Sequence, residues 1–234
     1  MKFCLFIHCL LWGGLAVTLS AEGVKFTAVS LGASLPDVEY KNGAKPEKLT
    51  IPAFSRSEVK NYSGMGPIDF YTTVEKEGKK EKVNIAEVTF PEKTSRVLLV
   101  FSPQADGTAK VQALDDTPET MPRGSTRLYN ATAMAVAIRC NEDTSVLPPN
   151  QQKIMPLAPP QVVVQMAYQK QGQWVRGGGN VFATDSNIRQ TIFVVTSDSE
   201  VFKVQTPAGR VALSPLQSFT LPELVETETP QNSK

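Results

Sequence analysis

Few residues in this chain have side chains suited to bond-making chemistry, and their positions restrict that chemistry further. The single histidine, His8, and two of the three cysteines, Cys4 and Cys9, lie in an apolar run at the N-terminus. The remaining thiol, Cys140, alternates with Met134, Val136 and Ile138, the pattern of one apolar strand face, so it is expected to fill a core. No base stands near it in sequence to make it a nucleophile. Acidic residues pair at Asp115-Asp116 and Glu142-Asp143, with Asp185 further on. They fall among turn-forming residues, and no spacing marks two of them as a converging acid and base. Gly177-Gly178-Gly179 lacks the helix and the Lys-Ser/Thr of a phosphate loop and reads as a hairpin segment or bulge. Asp185-Ser186-Asn187 is a fragment of a calcium loop without the other oxygen ligands. No catalytic residue, cofactor or metal site is therefore assigned.

Binding is better supplied. Tyr62, Tyr71, Tyr168 and Trp174 combine apolar rings with a polar tip, as needed to stack on a sugar or to anchor a protein partner. Trp174 stands close to the glycine triplet, where a mobile segment is expected. These four residues are the candidate ligand or partner surface. The sequons Asn61-Tyr62-Ser63 and Asn130-Ala131-Thr132 would act as glycan acceptors only in a eukaryotic secretory pathway.

Met1-Lys2, the apolar stretch from Phe3 to Leu19, and Ser20-Ala21 have the form of a secretory signal peptide covering residues 1–20. Its cleavage would send the protein to the periplasm or the cell exterior, with no membrane insertion afterwards. The mature chain would then have no histidine, which excludes Ser-His-Asp and Cys-His catalysis and His-bound zinc. One thiol would remain, so no intramolecular disulfide could form. Lys2 would leave as well, so the 24 Lys and Arg residues would fall to parity with the 23 Asp and Glu. A neutral chain has no bulk field to draw in nucleic acid or an anionic membrane.

The framework that must position any binding surface is β-structure. Val97-Leu98-Leu99-Val100-Phe101 and Thr191-Ile192-Phe193-Val194-Val195 are short, apolar and β-branched, the pattern of strands covered on both faces. Ile68 to Val74 alternates apolar and polar side chains, and the charged octet after it, with Gly78 at its centre, reads as a hairpin tip. Sliding Ile68 onto Val162 also sets Phe70 on Val164, Gly78 on Gly172, Val88 on Phe182, Leu98 on Ile192 and Val100 on Val194. With small slips, Ile51-Pro52 meets Leu147-Pro148 and Lys110-Val111-Gln112 meets Lys203-Val204-Gln205. Two copies of about 95 residues imply tandem domains, since a solenoid is built from several shorter repeats. Residues 23–114 and 126–221 are the expected domains, 115–125 a linker with little to bury, and 222–234 a disordered tail. No helical periodicity is present, so the chain is predicted to be all-β, with two antiparallel β-sandwiches.

A signal peptide followed by two β-sandwiches, without disulfides or histidine, resembles secreted bacterial proteins with tandem immunoglobulin-like domains. The resemblance lies in architecture over residues 24–207 and transfers no functional residues. Periplasmic pilus chaperones are similar in size and domain content, but this chain has no counterpart of their basic cleft pair. The resemblance implies a non-enzymatic protein that binds an envelope or surface protein or has a structural role there. A carbohydrate-binding module centred on Trp174 and a periplasmic assembly factor are the alternatives, with a glycan as the other candidate partner.

Overall fold

The computed structural model describes residues 23–64, 66–155, 160–197, 202–207, 209–212 and 214–225; the signal-peptide segment lies outside them. The chain is all-β and forms two tandem β-sandwiches. The first contains β1 (Val24–Ser30), β2 (Leu35–Asn42), β3 (Lys45–Ile51), β4 (Lys60–Tyr62), β5 (Ile68–Lys76), β6 (Lys79–Val88), β7 (Arg96–Pro103) and β8 (Ala109–Asp115). The second contains β9 (Thr126–Asn130), β10 (Val136–Cys140), β11 (Asp143–Leu147), β12 (Gln152–Met155), β13 (Gln161–Lys170), β14 (Gln173–Ala183), β15 (Ile188–Thr196), β16 (Lys203–Thr206), β17 (Gly209–Ala212) and β18 (Leu216–Leu224). The first domain's sheets run β4-β1-β7-β8 and β3-β2-β5-β6, and the second's run β12-β9-β15-β18 and β11-β10-β13-β14. Strand for strand the orders agree, with the β16-β17 hairpin inserted before β18. The duplication therefore extends to topology, including one parallel pair in each copy, β1 with β7 and β9 with β15.

Four sheets stack in series. Phe26, Tyr40, Phe70, Leu99 and Phe101 fill the core of the first sandwich, and Leu128, Ile138, Val164, Ile192 and Val194 that of the second. A third cluster joins the domains: Val29, Leu98, Val100 and Leu114 pack on Tyr129, Phe193, Val195 and Leu221. Each such side chain contributes roughly 1.5–3 kcal/mol on burial. This is why β7 and β15 are apolar on both faces: one face looks into its own sandwich and the other into the neighbouring domain.

One end of that seam is charged. Asp116, fully buried, receives Arg56 at 2.9 Å, Arg189 at 3.4 Å and Arg127 at 3.5 Å, with Arg96 at 3.9 Å. Glu223 binds Arg189 at 2.9 Å and Arg56 at 3.3 Å, and also pairs with Arg96. Burial pulls the Arg127 guanidinium down to about 10. At the other end Phe54 packs edge-on against Phe202 and Phe219.

These contacts correct three expectations. Residues 116–125 are not an exposed linker, because Asp116, Met121 and Ser125 are buried and hold the seam. The second domain does not end at residue 221: β18 runs to Leu224 and supplies Glu223. The repeat register also slips by one residue between β6 and β7. Leu31 N–H donates to Phe101 O and Ala131 N–H to Val194 O, so Leu99, not Leu98, corresponds to Ile192. Leu98 faces the seam whereas Ile192 faces the core, the inversion a one-residue slip produces. Likewise Lys203-Val204-Gln205 belongs to the inserted hairpin, and β18 is the partner of β8.

Candidate binding face

Groups with chemical potential are committed to structure. Cys140 is buried, and burial pushes its thiol up. Burial pushes Asp115 up too, but hydrogen bonds from Thr117, Thr120 and Thr94 outweigh it and hold the carboxyl below its usual range. Asp143 pairs with Lys153. Asn130, inside the second sequon, is buried and spends its amide on the carbonyls of Met134, Leu147 and Pro148. Among the described residues no group of three metal-ligating side chains converges.

The two outer sheets remain, and the duplication allows them to be read position by position. In the first domain Glu39 pairs across the sheet with Lys48 on one side and Tyr71 on the other. In the second, Arg139 pairs with Thr144 and Gln165. Along each hairpin, Asp69 opposite Glu87 corresponds to Val163 opposite Val181, Thr73 opposite Lys82 to Ala167 opposite Arg176, and Glu75 opposite Lys80 to Gln169 opposite Trp174. The correspondence survives a bulge in both hairpins.

The first outer sheet carries as many acidic as basic residues, and two ion pairs form among them. Lys82 binds Glu39, holding that carboxyl below its usual range, Lys48 lies 3.8 Å from Asp37, and Asn84 donates to Asp69 at 3.1 Å. This is a solvated face. On the second outer sheet the same positions carry no acid: they are aliphatic, aromatic, cationic or, at Thr144, Gln165 and Gln169, neutral and polar. Val146, Val163, Val181 and Trp174 are exposed there, Val181 by 55%. The only acidic residue of its four strands, Asp143, is bound to Lys153 of the facing sheet. Arg139 and Arg176 are exposed, with no carboxylate partner among the described residues. Together with Ala137, Thr144, Gln165 and Ala167 they line a depression of about 380 Å³.

No protein-family model matches the chain, and no curated protein aligns with it significantly. The face must therefore be read from its own chemistry.

The four aromatic candidates do not form one surface. Trp174, 45% exposed, stands on the face just described. Tyr168, from the opposite side of β13, packs half-buried on the second core. Tyr71 lies on the outer sheet of the other domain, in the row of Glu39. Tyr62 is buried in the first core, its ring 5.5 Å from that of Phe90; β4 is an edge strand, but its Tyr62 points inward beside Val24. The glycine triplet is the bulged hairpin segment its sequence suggests, and not a loop. It lies inside β14, where Gly177 is the bulged residue and a Cβ on it would meet Leu216 Cδ1 at 2.6 Å. Absent side chains let β14 approach β18.

Sequence reading missed Arg139, Arg176, Val146, Val163 and Val181 as a set. A signal was present. Gln161 to Gln169 contains no charge on either face, whereas Ile68 to Lys76 carries three.

Proposed function

We propose that this is an exported, non-enzymatic protein that holds a protein partner of the cell envelope or surface against the outer sheet of its second domain. The observation that carries this reading is the loss of every carboxylate at the matched positions: Asp69 and Glu87 give way to Val163 and Val181, Glu75 to Gln169, and Glu39 to Arg139, which has no carboxylate partner among the described residues. The paired Val163 and Val181 expose apolar surface one row from Arg139, and anchors such as Trp and Arg dominate binding at contact sites. The neutral charge balance and the absence of histidine from the mature chain agree with a binding role. The kinship with secreted tandem immunoglobulin-like proteins belongs to the same proposal.

The test is a photo-crosslinking residue placed at 181 and, separately, at its counterpart 87, in protein exported by its native cell. A discrete adduct from position 181 that is absent from 87 and suppressed by a second change, Val163→Asp, is the expected result. Equal labelling from both faces, or none from 181, overturns the assignment. A glycan partner is the second reading, favoured by Trp174, and predicts loss of glycan binding on Trp174→Ala.

A further inference from the structure

The first copy indicates how the two arginines of the second would be occupied. Glu39 and Lys82 stand one residue row apart on strands separated by β5, and their side chains meet in an ion pair. Arg139 and Arg176 hold the same two positions around β13. By strand geometry their Cα atoms are roughly 12 Å apart, a span that in the first copy is closed by one carboxylate and one ammonium. In the second copy the position of the carboxylate carries another cation. Two guanidinium groups then border one depression, with no carboxylate paired to either among the described residues. Arg139 Nε is held by Asn141 O at 3.0 Å, which orients its remaining donors.

The geometry points to a carboxylate site between Arg139 and Arg176, filled by an aspartate, a glutamate or the C-terminal carboxylate of the bound protein. The inference rests on the binding face proposed above and names the chemistry its partner must present. Guanidinium groups suit this task because each offers paired donors in the plane of a carboxylate. The surroundings select a protein source. Val163 and Val181, paired one row beyond Arg139, and Val146, beside Ala137 in the row of Arg176, put exposed aliphatic side chains on either side of the depression, whereas an acidic sugar would need stacking rings, and Trp174 is the one exposed aromatic ring there among the described residues.

Short random peptides displayed on phage, selected on the folded full chain, provide the probe. Enriched peptides are expected to carry Asp, Glu or a free C-terminus beside apolar residues. They should bind Arg139→Glu at least about tenfold more weakly, because that variant rebuilds the internal pair of the first copy, while Arg139→Lys retains most of the affinity. Enrichment of neutral peptides that bind Arg139→Glu normally but lose binding to Val181→Glu overturns the carboxylate site and leaves the face intact. Peptides indifferent to both changes, or no enrichment at all, overturn both. Binding of polygalacturonate by the wild type in place of peptides overturns the protein source.

Discussion

The two outer sheets have the same strand order, matched cross-strand positions and a bulge in the same hairpin, yet one carries acids and bases in equal number and the other has valine, glutamine or arginine where the acids stood. The inner sheets did not diverge in this way, because each buries the other. Val29 and Tyr129, and Val100 and Phe193, are matched positions that belong to the one seam cluster, and the matched Arg96 and Arg189 share Asp116 and Glu223. Packing fixes the inner faces, while an outer face answers only to solvent or to a partner. A sheet selected only for solubility would be expected to keep charges such as those of the first copy, since exposed ion pairs cost little and prevent association. The second copy lost them in a consistent direction, and a partner supplies the reason.

The comparison requires that the seam be rigid, so that the second outer sheet is presented by the whole molecule. The largest expected effect therefore lies there. Asp116→Asn keeps the shape but removes the buried charge that four arginines share, and breaking such a cluster from one side costs about 3–5 kcal/mol. Urea unfolding should shift by that amount, and the single transition should split as the domains uncouple. An unchanged midpoint would mean the arginines are neutralised by water and the seam is open.

Tyr129 gives the next largest effect. Burial in the seam pushes its phenol up to about 12, against about 10 in an unfolded chain. A raised pKa means the folded state keeps the proton longer. The stabilisation is complete below pH 10 and is lost as pH rises from 10 towards 12, a change on the order of 2–3 kcal/mol. Tyr129→Phe cannot titrate, so the gap between wild type and variant should move in favour of the variant across that range. Parallel pH curves would show a solvated phenol.

Much of the framework was legible in the sequence. The apolar runs at Val97 and Thr191 marked strands covered on both faces, and glycines at matched hairpin tips, Gly78 and Gly172, marked the repeat; both have positive φ, 75° and 79°. What covers the second faces was not legible, since a strand apolar on both sides has no alternation to set its register, and Leu98 was aligned one residue off for that reason. Asp116 looked like linker because its four arginine partners lie at positions 56, 96, 127 and 189, joined only by folding. The binding face was missed for a different reason. Its signature is a difference between two copies and not any single aromatic residue, and the match of Arg139 with Glu39 appears only once strand pairing sets them beside Gln165 and Tyr71.

The smallest expected effect separates function from stability most cleanly. Arg139→Glu sets a carboxylate beside Arg176 as Glu39 is set beside Lys82, and exposed pairs of this kind add about 0.2–1 kcal/mol. The variant should unfold at slightly higher urea than the wild type, and the difference should vanish at high salt, where such pairs are screened. The same variant is expected to lose the partner. A substitution that stabilises the chain and abolishes binding identifies a residue kept against the interest of the fold. If Arg139→Glu instead destabilises the domain by more than the loss of the bond to Asn141 O, Arg139 has an internal carboxylate partner and the two outer faces differ less in kind than their residues suggest.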